Sequence, residues 1–222
     1  VIGHNFFSSQ SHFIAMIQGL FVFVASYLVR PLGSLFFGYI GDKYNTSDSL
    51  KFATIIMSIP TFLIGILPTY NYIGISAPII LILLRLIQGF ASGGELPICS
   101  SYIFNETSGS KNKTFLCGLV NIGGMIGVLL SSFIVFMIYM LFSVSDIEGW
   151  AWRIPFVISL PLTFFIFMNR NNITSVQQND TKYKISSIGF NKKFYFKIVK
   201  ALAIISFLQV SFYLLFVWMP LY

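Results

Sequence analysis

The sequence predicts an all-α integral membrane protein, and three observations carry that expectation. Only 9% of its 222 residues are charged, against about 25% in an ordinary soluble domain. Mean hydropathy is +0.80, more apolar surface than a water-soluble fold of this length can hide. The apolar residues also gather in six long stretches divided by polar segments. A disordered tail and a nucleic-acid partner are excluded, because the net charge of +7 is carried by a largely apolar chain. The expected partner is the lipid bilayer itself.

A spanning helix needs about 20 mostly apolar residues. The candidates run from Phe13 to Ile40, Phe52 to Pro68, Pro78 to Phe104, Phe115 to Phe142, Ile154 to Met168 and Ala201 to Trp218. The fifth is short, with Trp150 and Trp152 able to extend it into the interface. Val1 to His12 has no basic region followed by an apolar core, so it does not read as a signal peptide. Both ends of the chain are expected to be cut rather than finished: Val1 is not a start methionine, and Tyr222 follows directly on an apolar span.

Charge between the spans predicts orientation. Lys and Arg number none before the first span, two in Gly41–Lys51, none in Thr69–Ala77, two in Asn105–Thr114, one in Ser143–Arg153 and seven in Asn169–Lys200. The positive-inside rule then puts the second, fourth and last of these segments in the cytoplasm. The N-terminus and Tyr222 are expected outside, in a cell (inner or cytoplasmic) membrane. The segment Asn169–Lys200 reads as a solvated basic loop that fixes topology, with anionic-lipid binding as the alternative.

Ionisable groups inside a span mark a water-filled pathway or a buried pair. On the third span Arg85, Gln88, Ser92 and Glu95 fall within an arc of roughly 80°, which should face a cavity or another helix rather than lipid. Beside them Gly89 and Gly93 are spaced four apart, allowing a second backbone to approach closely. On the first span Ser26, Arg30 and Ser34 share a face, and Arg30 reads as structural. Gly118, Gly123, Gly124 and Gly127 on the fourth span read as a smooth packing surface. Cys99 and Cys117 read as small core residues. His4 and His12 form no metal-ligand spacing, so neither metal nor cofactor is expected. No nucleophile–base constellation is visible, which argues against an enzyme.

Several stretches resemble the major facilitator superfamily, and within it the metabolite:proton symporters. Arg30 through Gly38, Gly41, Asp42 and Lys43 is similar to the signature entering the family's first cytoplasmic loop. Arg85, Gln88, Gly89, Gly93, Gly94 and Glu95 resemble its fourth helix, and Trp152, Arg153, Pro155 and Phe156 the start of its sixth. Gly65 to Pro78 and Phe212 to Pro220 fit as well. In this register the six spans correspond to the family's helices two to seven, a partial major facilitator fold. Residues 1–168 would form an incomplete N-terminal half of five spans, 169–200 the cytoplasmic loop, and 201–222 the first span of the other half.

The resemblance implies proton-coupled symport of a small zwitterionic or anionic metabolite, with proline/betaine-type osmolytes first and di- or tricarboxylates second. It implies Arg85, Gln88, Ser92 and Glu95 in the substrate and proton pathway, with Arg85 holding a solute carboxylate. Gly38, Gly41, Asp42, Lys43 and Glu106 would serve the gating loop, and Arg30, Gly89, Gly93, Gly123, Gly124, Gly127 and Arg153 helix packing. The loop departs from the family pattern at Asn45, Thr46 and Ser47, where a glycine and basic residues are usual. The partners would be solute, protons and lipid, with a complementary transporter fragment as a further one. Two other classes stay open: a truncated, transport-inactive remnant, and an integral membrane assembly protein or enzyme.

Overall fold

The computed structural model describes residues 1–7, 12–43, 46–107 and 112–171, and positions 196, 199, 200, 203, 207, 210 and 211 beyond them. It divides into two units, Val1–Gln177 and Gln178–Tyr222. The first contains α1 (Ile2–Phe6), α2 (His12–Lys43), α3 (Thr46–Ile66), α4 (Tyr70–Ile73), α5 (Ser76–Glu106), α6 (Lys113–Leu141), α7 (Val144–Gly149), a 3-10 turn at Ala151–Arg153, and α8 (Ile154–Asn171). The positions described in the second unit are helical. Most of the predicted sixth span and most of the basic loop lie outside the described residues.

All regular structure among the described residues is helical, as a bilayer requires when every backbone N–H and C=O must be satisfied within the chain. Among the described residues, four segments are long and apolar enough to cross a membrane: Phe13–Gly41, Thr46–Ile66, Ser76–Phe104 and Thr114–Leu141. The apolar stretch of the fifth, Ala151–Ile166, is shorter. α2 has 32 residues, about 48 Å at 1.5 Å per residue, so it exceeds a hydrocarbon core of about 30 Å. Pro31, Pro60, Pro97 and Pro161 sit inside α2, α3, α5 and α8.

Hydroxyls inside the spans satisfy themselves on the preceding turn. Ser26 donates to the Phe23 carbonyl at 2.7 Å, Ser58 to Thr54 at 2.6 Å and Thr163 to Ser159 at 2.8 Å. A hydroxyl bonded this way carries little cost in lipid. Large apolar side chains stay exposed along α6, among them Met125, Leu129 and Phe133. In water such a face would aggregate; against acyl chains it is the expected surface.

α2 and α5 run parallel and form the tightest contact of the bundle. Gly89 lies on the Ser26 backbone, Gly93 on the Arg30 backbone, and Gly33 of α2 on the Phe90 backbone in return. An added Cβ at any of the three would overlap a carbonyl oxygen of the other helix. Two buried clusters flank this crossing. One joins Phe6, Val22, Ile64, Leu81, Leu84 and Trp152; the other joins Phe37, Leu50, Ala53, Ala91 and Ile98. Ser49, buried at the start of α3, donates to the Phe37 carbonyl at 2.9 Å and fastens the α2–α3 corner.

At the opposite end, Ser143 and Asp146 form a capping box on α7, and Asn5 donates to the Glu148 carbonyl at 2.9 Å. Arg153 gathers this end. Its guanidinium donates to the carbonyls of Gly149 at 3.0 Å and Leu67 at 3.5 Å, and lies 4.4 Å from the Trp152 ring centroid. These carbonyls sit at the C-terminal ends of α7 and α3, where a cation is favoured. Arg153→Gln should therefore cost roughly 1–2 kcal/mol of stability. A thermal scan in detergent checks this; an unchanged midpoint would remove Arg153 from the structural role.

Candidate functional site

The described polar groups of the bundle interior centre on α5. One guanidinium nitrogen of Arg85, Nη1, donates to Gln88 Oε1 at 2.9 Å. Gln88 Nε2 donates across to Thr61 Oγ1 on α3 at 2.8 Å, and Thr61 donates to the Met57 carbonyl at 2.7 Å. The result is a directional chain of donors from α5 into α3. Its cross-helix step contributes about 0.6 kcal/mol, the usual scale for a hydrogen bond between membrane helices. The chain matters more for orientation than for stability.

Arg85 is half-buried, and its guanidinium carbon lies 5.8 Å from the Phe156 ring centroid on α8. Phe156 in turn meets Trp152 edge-on at 6.1 Å, and Trp152 meets Phe6 at 5.6 Å. Gly65 of α3 brings α8 in: an added Cβ there would stand 2.7 Å from the Phe156 Cβ. Three helices thus meet around one cation. A guanidinium carries five N–H donors, and Gln88 is its one hydrogen-bond partner among the described residues. Chemically the arrangement offers a fixed positive fork to a planar carboxylate.

The rest of the predicted stripe does not join this chain. Ser92 and Glu95, both half-buried, lie further along α5; Glu95 is about 15 Å along the helix axis from Arg85. Gly38 is half-buried with open space before it, and Gly41 is buried with the Ser49 side chain 3.7 Å from where its Cβ would be. Asp42 belongs to the last turn of α2 and Glu106 ends α5; their side chains lie outside those described. Lys43 is exposed, its ammonium 5.5 Å from the Tyr39 ring centroid. Residues 44–45 of the loop also lie outside the described residues.

Among the packing residues, Gly89 and Gly93 sit on the α2 backbone, as does the carbonyl of Arg30 on Gly93. The Arg30 guanidinium lies 3.7 Å from the Tyr27 ring centroid, with its Nε buried and unpartnered among the described residues. Gly123, Gly124 and Gly127, expected to form a packing surface, instead face open space, with nothing within 4 Å of an added Cβ. The helices described touch α6 elsewhere, so among the described residues nothing packs on these glycines.

Thr61, Gly33 and Gly65 did not emerge from the sequence as site or packing residues. The signal for Thr61 was present: Thr54, Ser58, Thr61 and Gly65 recur at helical spacing within an apolar span, a polar and small stripe facing a neighbour. Reading that span as uniformly apolar hid it.

Comparison with known proteins places this geometry. Residues 4–171 match the family described as sugar (and other) transporter. The whole chain aligns with the proline/betaine transporter of Escherichia coli K12 at 31% identity, covering 47% of that protein. It aligns equally fully with the putative proline/betaine transporter of Staphylococcus haemolyticus at 35% identity, covering 48%. The chain thus spans about half the length of the curated relatives it matches. Among solved structures, the partially occluded inward-open xylose transporter XylE from E. coli superposes with a TM-score of 0.65 at 20% identity, over 76% of this chain and 40% of that one; at that identity the likeness bears on the fold. With a match across residues 4–171, this chain is a multi-pass membrane protein that belongs to the sugar (and other) transporter family.

Proposed function

We propose that this chain serves secondary active transport, as a proton-coupled symporter of a small zwitterionic or anionic metabolite. Proline/betaine-type osmolytes are the first candidates, since relatives at 31–35% identity are named for them; di- and tricarboxylates come second. The observation that carries the reading is a half-buried arginine inside a span, held among the described residues by a neighbouring amide rather than by a carboxylate. Such a cation retains its charge for a solute, and an isolated charge is expensive in a membrane unless it has a function.

In this mechanism Arg85 binds the solute carboxylate, Gln88 and Ser92 line the path, and Glu95 carries a proton-linked role. Asp42, Lys43 and Glu106, with Gly38 and Gly41, form the gate. The two acids stand at the C-terminal ends of the parallel helices α2 and α5, where the helix dipole disfavours an anion. An acid kept there calls for a cationic contact, which a gate supplies in one state and releases in the other. Residues 1–168 act as most of one transporter half, 169–200 as a cytoplasmic loop and 201–222 as the first span of the other half, with both termini outside. The counterpart of the rest of the relatives' length, in the same polypeptide or in a complementary fragment, completes the pathway.

The test is uptake of labelled proline, glycine betaine and 2-oxoglutarate into vesicles carrying this chain, with and without an imposed proton gradient. Gradient-dependent uptake is expected, and Arg85→Gln should weaken it about a hundredfold, the value of a charge-assisted contact of roughly 3 kcal/mol. No uptake of any of the three, from protein shown to be inserted, would overturn the reading.

A further inference from the structure

We propose that Thr61 is a positioning residue for the solute site, acting on Arg85 through Gln88; the inference rests on the reading of Arg85 as the carboxylate-binding group. The argument is one of hydrogen-bond direction. A primary amide has one acceptor end and one donor end, and either could face a neighbour. At Gln88 the acceptor end faces Arg85 at 2.9 Å and the donor end faces Thr61 at 2.8 Å. If the amide were reversed, its NH2 would meet the guanidinium donor to donor, and its carbonyl would meet the Thr61 hydroxyl.

The guanidinium, which only donates, excludes the reversed arrangement from one side, and Thr61 excludes it from the other. The Thr61 proton is committed to the Met57 carbonyl at 2.7 Å, leaving the oxygen only lone pairs to offer Gln88. The hydroxyl is thus fixed as an acceptor, and a fixed acceptor admits only the amide donor. Thr61 holds Gln88 in one orientation, and Gln88 holds one edge of the guanidinium. The N–H groups not directed at Gln88 are then aimed consistently, with Phe156 on α8 lying 5.8 Å from the guanidinium carbon. A cation positioned in advance loses less freedom on binding than one that must be ordered by the solute.

The donor chain also ties the site to α3, on a different helix from the arginine. Any shift of α3 along α5 would turn the amide and with it the guanidinium. Thr61 is half-buried and its hydroxyl is not needed to close α3, since Ser58 and Thr54 make the same local bond to their preceding turns. Val fills almost the same volume, so Thr61→Val deletes the acceptor while keeping the packing.

The experiment compares wild type, Thr61→Val, Thr61→Ser and Arg85→Gln, first by uptake of labelled glycine betaine and proline over a concentration series. Thr61→Val should raise KM about tenfold with the maximal rate and the inserted amount retained, and Thr61→Ser should restore KM. A lowered maximal rate at unchanged KM, or equal effects of Val and Ser, would overturn the proposal while leaving the transport reading standing. If wild type shows no uptake, the transport reading falls, and a thermal double-mutant cycle of Thr61→Val with Arg85→Gln in detergent decides the remainder. Non-additive shifts in the melting midpoint support the coupling of Thr61 to Arg85; additive shifts reject it.

Discussion

Adding two methyl groups, Gly89→Ala with Gly93→Ala, is expected to pry apart the α2–α5 contact and destabilise the folded bundle. In each case the new Cβ meets a main-chain carbonyl of α2, at Ser26 and at Arg30. A side chain can rotate out of the way, but a backbone locked in a helix cannot. The helices must separate, and every neighbouring van der Waals contact weakens together, which is the main force holding helices to one another in lipid. Overpacking of this kind costs roughly 1–3 kcal/mol per site, so the double variant should melt roughly 10 °C lower in detergent. The control is the same chemistry at Gly123 and Gly124, where a Cβ meets nothing within 4 Å. There Ala should be neutral or stabilising by up to about 1 kcal/mol from helix propensity. Equal melting shifts for both pairs would mean that the α2–α5 approach does not hold the fold.

That contrast also marks how far the sequence could be read. The spans were legible because bilayer thickness and backbone satisfaction leave few choices: a low-charge apolar run of the right length becomes a helix. The Gly89 and Gly93 pair was legible for a similar reason, since small residues four apart make one groove on one face. The same rule applied to Gly123, Gly124 and Gly127 gave a packing surface that the described unit leaves open. A glycine run states that a helix can be approached, and only the fold states by what. Arg85 and Gln88 stood out as polar groups in an apolar helix. Their partner Thr61 did not, because a hydroxyl that bonds its own preceding turn is inexpensive in a span and carries no signature of a second bond. The separation of Ser92 and Glu95 from the Arg85 chain was equally hidden: an 80° stripe is long as well as narrow, and helix rise spreads it over several turns.

Replacing one atom group next to Arg85 should abolish solute recognition while leaving the protein well folded. Gln88→Glu keeps the size and places a carboxylate where an amide oxygen now accepts from Nη1 at 2.9 Å. The guanidinium then has a permanent internal anion three residues along its own helix, a spacing that brings side chains together. A solute carboxylate must compete with a tethered one that is always present, and the pair together offers it no net charge. Affinity for proline and glycine betaine should fall about a hundredfold or more, comparable to losing a charge-assisted contact. Stability should hold, because the half-buried cation gains a counter-charge while the bond from Gln88 Nε2 to Thr61 is lost. Gln88→Leu separates the two effects: it removes the acceptor without adding charge, frees the guanidinium to wander, and should raise KM only about tenfold. Uptake kinetics and a melting scan on the same preparations test this ordering. If Gln88→Glu transports with wild-type KM, then Arg85 does not hold the solute carboxylate, and the chain from Arg85 to Thr61 serves helix packing alone.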